Sequence, residues 1–444
     1  GAEFLSRLRV AAAGTIDGQL DEHAFAATLD PSAAGIHGAL GMFLPTGASF
    51  TAGAARDLDR IAAWPKERLS RTALAPLIGL DYRGEIAPRP AINTSPLNAE
   101  QIEAVGQAMT SPLSVVTGPP GTGKSQAIVA MAATALWNGQ RVLVASRNHQ
   151  ALDAVEDRLS AIAPDTPFLV RTLDPARDID RGMRDVLDDL VTTPGAGASG
   201  PEPQLEAQLD RLAGTRAAAM DRIAERRELR LALAEDVERL EARRLAGVAD
   251  GASAEPASGF WRRLLRAFGG ARQPRETAGA GTPIPTAALR RRIRERRCRI
   301  AALANGEDPV TLTGEVAPLA RSAVGQRVAA SATPDEDRRL ALSNERDDLA
   351  LHGEAAIPRD LAVSVLGHRP LWLASVLGAP RRIPLEAELF DLVVFDEASQ
   401  CDIASALPLL ARARRAVIVG DDRQLDFIPQ LGARQDRNLM AAQR

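Results

Sequence analysis

Gly118-Pro119-Pro120-Gly121-Thr122-Gly123-Lys124-Ser125 is the stretch from which the rest of this chain is read. The octet fits the phosphate-loop pattern G-x-x-x-x-G-K-[ST]. Leu113 to Thr117 before it is a short β-type run, and Gln126 to Asn138 after it reads as an Ala-rich helix. Strand, glycine loop and helix start together aim backbone N–H groups and a helix dipole at a phosphate. Composition sharpens the point. Of 54 basic residues only two, Lys66 and Lys124, are lysine. A chain that writes arginine almost everywhere keeps a compact ammonium where one must reach β- and γ-phosphates. An ordinary glycine turn has no use for that choice.

Working outward, Gln140 to Ser146 is a buried strand that turns through Arg147-Asn148-His149-Gln150 into a helix over 151–162. Phe168-Leu169-Val170 makes a third strand. The same pattern resumes after Leu361. Leu371 to Ser375 is a strand, Leu389 to Phe395 runs into Asp396-Glu397-Ala398-Ser399-Gln400, and Ala416 to Val419 leads into Gly420-Asp421-Asp422-Arg423-Gln424-Leu425. Two adjacent acids closing an apolar strand are costly unless a cation sits beside them. The alternative use, a helix cap after a buried strand, weakens once a phosphate loop is present. Asp396 then holds Mg²⁺ through water while Ser125 supplies a hydroxyl ligand. Glu397 orients and deprotonates the attacking water. Gln424, an uncharged donor one strand over, is suited to sensing the γ-phosphate.

The remaining segments carry less chemistry. Residues 1–92 read as a small α-rich or mixed lead-in, with a helix near Ala55 to Ala63. Leu97 to Val105 is a capped helix with Ile102 and Val105 on one side. Residues 172–360 form a helical insertion, starting with a charged helix over 174–190 and a Gly/Pro break at 193–201. Leu205, Leu209, Leu212, Met220, Ile223, Leu233, Val237 and Leu240 then follow helical spacing, and Leu289, Ile293, Ile300 and Leu303 mark a second helix. An antiparallel coiled-coil arm with a low-complexity tip over 246–259 and 269–285 is expected. Two basic patches lie on it, Phe260 to Phe268 and Arg290 to Arg297. Either touches phosphate or a protein partner, or forms a solvated face paired with acids of the neighbouring helix.

The totals fit a globular chain of two or three domains. There are 444 residues, 45% of them hydrophobic and 25% charged, with a net charge of −3. Any nucleic-acid surface must therefore be local. Cys298 and Cys401 lie far apart, with neither metal-ligand spacing nor a disulfide framework. No run of 18 apolar residues and no signal peptide appear, so a cytoplasmic protein without a membrane partner is expected. The Ala- and Arg-rich usage suits a GC-rich, bacterial genome. The chain begins Gly1-Ala2-Glu3-Phe4 without Met, and it reads as a piece of a longer protein.

Four motifs in order carry a resemblance: Leu97-Asn98-x-x-Gln101-x-x-Ala104-Val105, the phosphate loop, Asp-Glu-Ala-Ser-Gln and Gly-Asp-x-x-Gln-Leu. Together they resemble the amino-terminal motor half of superfamily 1B helicases, the Senataxin-like and nonsense-mediated-decay branch. The resemblance implies a P-loop NTPase of α/β class, a RecA-like parallel sheet over 93–171 and 361–444, interrupted by the insertion. It implies ATP and Mg²⁺ as cofactors. Gln101 reads the adenine edge with Asn98 supporting its turn, and Gly118 through Ser125 cradle the phosphates. Lys124, Asp396, Glu397 and Gln424 serve catalysis, and Ser146 and Asn148 contact a single DNA or RNA strand. Gln400 faces a second RecA-like domain, which brings the arginine fingers and is missing from this piece. Two departures stand out: Asp426-Phe427-Ile428 intervenes before Pro429, and Arg423 replaces a common lysine. An SMC-type ATPase also splits its motifs with a coiled coil, but it needs a Leu-Ser-Gly-Gly signature that this chain lacks. A nucleotide-switched scaffold is the other competing reading.

Overall fold

The computed structural model describes residues 52–86, 90–172, 182–193, 200–245, 284–352, 357–421 and 423. Gln424, the Phe260 to Phe268 patch, the expected low-complexity tip up to 283, and the first part of the 174–190 helix lie outside these residues. Among the described residues the helices longer than one turn are α1 (Ala52–Ala62), α2 (Ala99–Thr110), α3 (Lys124–Trp137), α4 (His149–Ser160) and α5 (Met183–Thr192). They continue with α6 (Pro203–Leu245), α7 (Thr286–Ala302), α8 (Pro309–Ser331), α9 (Glu336–His352), α10 (Arg359–His368) and α11 (Ile403–Ala411).

Six strands form one sheet: β1 (Leu113–Thr117), β2 (Val142–Ser146), β3 (Leu169–Thr172), β4 (Leu371–Ser375), β5 (Phe390–Asp396) and β6 (Ala413–Gly420). Their order is β1-β6-β5-β2-β4-β3, and every pairing is parallel. The last strand in sequence is thus wedged between the phosphate-loop strand and the strand carrying the acids. Parallel strands linked by helices are covered on both faces, which is why they read as near-continuous apolar runs. Alternate side chains divide accordingly. Val142, Val144, Leu371, Leu373, Val417 and Val419 pack under α2, α3, α4 and α8. Leu143, Ala145, Trp372, Ala374, Val393, Phe395 and Ala416 pack on the opposite face against α5, α10 and α11.

The part of the lead-in that is described belongs to this second layer. Ile61, Ala73 and Leu74 join its core. The N–H of Ala73 donates to the carbonyl of Ala413 at 2.8 Å. Asp57 of α1 pairs at 2.6 Å with a fully buried Arg412.

α6 and α7 pack side by side in opposite directions. The arginine run on α7 takes up its neighbour's acids: Arg296 and Arg292 flank the buried Asp236, the latter at 3.3 Å, and Arg299 meets Glu225 at 2.8 Å. That is the paired-face reading. The root of the insertion is not a separate body, however. Leu209 and Ala213 of α6, with Val316, Ala320, Ala323, Val324 and Val328 of α8, share one core with the helix that follows the phosphate loop.

Candidate active site

Register decides which residues meet. Thr117 lies opposite Gly420, Phe395 opposite Ile418, and Ser146 opposite both Asp396 and Ser375. The carboxyl ends of five strands therefore open onto one crevice, where ligands of open α/β sheets bind. The loop between β1 and α3 lies at its edge. Gly121 and Gly123 have φ of +82° and +80°, in the left-handed region that favours glycine. At Gly123 a Cβ would also fall 2.3 Å from the Gln101 amide nitrogen. Thr122 Oγ1 donates to the Pro119 carbonyl at 2.8 Å and closes the loop on itself. Lys124 Nζ donates to the carbonyls of Gly118 at 2.6 Å and Pro119 at 3.1 Å, so the ammonium lies across the mouth of the loop.

Gln101 is tied to this loop. Asn98 and Gln101 form a reciprocal capping box at the start of α2: Asn98 Oδ1 accepts from the Gln101 N–H at 2.8 Å, and Gln101 Oε1 accepts from the Asn98 N–H at 2.9 Å. The Gln101 amide then donates to the carbonyls of Thr122 at 3.0 Å and Gly123 at 3.2 Å. In this arrangement the side chain braces the phosphate loop with the same group expected to read an adenine edge.

Opposite stand the acids. Asp396 is buried at the end of β5 and accepts the Glu397 N–H at 2.9 Å. Burial raises its pKa above the usual 3.8; the Glu397 N–H opposes the rise, the Glu397 carboxylate adds to it, and the Lys124 ammonium opposes it. Glu397 sits in the left-handed region at φ +53°, a conformation costly for a residue with a side chain. Its Oε2 is buried without a hydrogen-bond partner. Strain and an orphaned carboxylate oxygen at one residue mark a position kept for something other than stability. Among the described residues no three His, Cys, Asp or Glu are grouped to hold a metal ion. Ser125 and Asp396 fit a cation that takes its other ligands from phosphate and water, as Mg²⁺ does.

Ser146 and Asn148 come together differently from expectation. Ser146 is fully buried, and its hydroxyl accepts the Asn148 N–H at 3.1 Å. Asn148 Oδ1 accepts the Gln150 N–H at 3.0 Å and caps α4. In this structure the pair shapes the turn, with the Ser146 side chain buried inside it. The exposed neighbour Arg147, which the motif did not single out, donates to the Gln400 carbonyl at 2.8 Å and links the ends of β2 and β5. Asp421, just past β6, is buried and accepts the Arg423 N–H at 3.0 Å. The apolar strand ending in Gly-Asp was the available signal for it. Among the described residues no helix is long and apolar enough to cross a membrane.

Comparison with known proteins agrees with this geometry. A family model described as an AAA domain matches residues 96–313 and 317–426. The chain is 31% identical over 96 residues to DNA polymerase alpha-associated DNA helicase A of Saccharomyces cerevisiae, covering 21% of this chain and 14% of that protein. It is 34% identical over 85 residues to RNA helicase aquarius of Mus musculus, covering 19% and 6%. It is 38% identical over 66 residues to the Regulator of nonsense transcripts 1 homolog of Arabidopsis thaliana, covering 15% and 5%. The aligned stretches thus span only a small part of each of these relatives.

Proposed function

This chain belongs to the AAA-domain family, in the helicase-type branch of superfamily 1B, and from that premise we propose that it is the ATP-binding first motor domain of a helicase or translocase acting on single-stranded DNA or RNA. The observation that carries the proposal is the crevice itself. The Lys124 ammonium is near enough to Asp396 to oppose its raised pKa, and the adjoining Glu397 keeps a buried Oε2 without a hydrogen-bond partner. On binding ATP, Lys124 exchanges two loop carbonyls for phosphate oxygens, and the left-handed glycines let backbone N–H groups approach the phosphates. Ser125 and Asp396 hold Mg²⁺, whose chemistry is to neutralise charge on the phosphates. Glu397 holds a water and takes its proton in this reading. A second RecA-like domain supplies the arginine fingers and the other wall of the cleft, and the halves ratchet along the strand, 5′ to 3′ by family resemblance.

The test is Mg²⁺-ATP binding and turnover by the 444-residue chain. Weak binding with negligible hydrolysis is expected. Lys124→Ala should weaken binding by at least about tenfold, the worth of one charged hydrogen bond. Robust turnover by the isolated chain, abolished by Lys124→Ala, would contradict a site shared with a second domain.

A further inference from the structure

The arm and the motor meet at a polar joint that nucleotide chemistry leaves unused. Arg216 of α6 is 2% exposed, and its guanidinium donates to Asn93 Oδ1 and to the Ala91 carbonyl. Both acceptors are neutral, and burial lowers its pKa to about 10. A buried cation without a carboxylate is a poor device for stability, since an apolar side chain would fill the joint at less cost. A guanidinium fork does fix geometry, because it holds two acceptors at once.

What it holds is the segment leading into α2. Asn93 is fully buried, and its amide donates to the carbonyls of Ser95 at 2.8 Å and Thr313 at 2.9 Å. The Thr313 hydroxyl accepts the Leu97 N–H at 3.3 Å, and Arg321 donates to the Thr94 carbonyl at 2.7 Å. On the other side, Ile92 exchanges its N–H and carbonyl with the Thr134 hydroxyl of α3 at 3.0 and 3.1 Å. Residues 91–97 are thus clamped between the arm root and the phosphate-loop helix. The next residue, Asn98, caps α2 and sets Gln101 against the carbonyls of Thr122 and Gly123. The contacts are continuous from arm to loop.

We propose that Arg216 is a positioning residue that couples the orientation of the arm, through Asn93 and the 91–98 segment, to Gln101 and the phosphate loop. Displacement of the arm then changes nucleotide affinity, and by linkage bound nucleotide biases the arm. The proposal rests on reading the loop as an ATP site.

The experiment titrates the full chain with a fluorescent ATP analogue, and separately a GTP analogue, in the presence of Mg²⁺. Arg216→Lys keeps the charge and loses the fork. It should weaken ATP binding by about tenfold and lower the preference for ATP over GTP. A double variant with Gln101→Ala should bind no worse than Gln101→Ala alone. Wild-type affinity, an equal loss for both nucleotides, or losses that simply add would overturn the proposal. If Arg216→Lys does not fold, Arg321→Ala decides: it sits at an exposed residue, cuts the second tie, and carries the same expectations. A wild-type chain that binds no nucleotide would remove the ATP reading and this coupling with it. Unchanged Arg216→Lys beside a defective Lys124→Ala would remove the coupling alone.

Discussion

Asp396 is held where ionisation is unfavourable. Burial is the main cause of its raised pKa, and the Lys124 ammonium only partly offsets it. For an acid with a raised folded-state pKa, the stabilising contribution is present below 3.8 and is lost as pH rises through the folded value. At neutral pH the ionised carboxylate is therefore a net cost to the fold. Asp396→Asn keeps an acceptor for the Glu397 N–H and removes the charge. It should raise the melting temperature by roughly 1–3 °C at pH 7–8 while lowering nucleotide turnover in the intact motor. The gain should shrink as pH falls toward 3.8, where the wild-type carboxyl is protonated as well. A neutral-pH melting temperature at or below that of the wild type would show that the carboxylate is not destabilising. Adjacent acids after an apolar strand were visible in the sequence as a charge problem. The left-handed backbone of Glu397 was not, because nothing in its side chain signals a positive φ.

At the scale of elements, the strands were the legible part and the arginines were not. Runs such as Leu371 to Ser375 and Leu392 to Phe395 are buried on both faces, so their apolar character survives without any partner in view. An arginine-rich chain hides which arginines are inside. Arg415 donates to the Ala108 and Met109 carbonyls at the end of α2. Arg369 donates to the Ala332 carbonyl just past α8, and Arg412 to the Pro408 carbonyl near the end of α11. Helices end in carbonyls without intrahelical partners, and a buried cation there satisfies them and suits the dipole. The arm solves its pairing problem at Asp236, which is 0% exposed between Arg239, Arg292 and Arg296. Asp236→Ala removes the shared anion, and the partly exposed arginines can turn to solvent. The cost should therefore be about 2 kcal/mol, below the range for breaking a fully buried pair. Hydrogen exchange should show it as lost protection in α6 and α7 near residue 236, with β5 unchanged. Loss spread evenly through the sheet would mean that the arm and motor unfold as one unit.

At the scale of the whole molecule, the sequence pattern divided the chain at changes of composition, whereas packing divides it elsewhere. Helical spacing over 205–240 gave the arm correctly as a helix, but it could not tell which turns face the partner helix and which face the motor. Leu209, Ala213 and Arg216 belong to the motor side, together with α8. Deleting 200–305 would therefore take residues out of the motor core as well as removing the arm, and should leave the chain insoluble or its melting temperature lowered by more than about 5 °C. A cut made above the root behaves differently. Glu225 and Arg299 face each other across the hairpin at 2.8 Å, so a short Gly-Ser turn can join them in place of residues 226–298. This shortened chain keeps Leu209, Ala213, Arg216, Asn93 and Thr313, and with them the clamp on the 91–98 segment. It should fold and bind Mg²⁺-ATP within about twofold of the full chain, a change within ordinary surface-substitution effects. Calorimetry and the same fluorescent titration measure both properties. A shortened chain that folds but has lost its nucleotide would place the arm's influence beyond the root, in the distal hairpin.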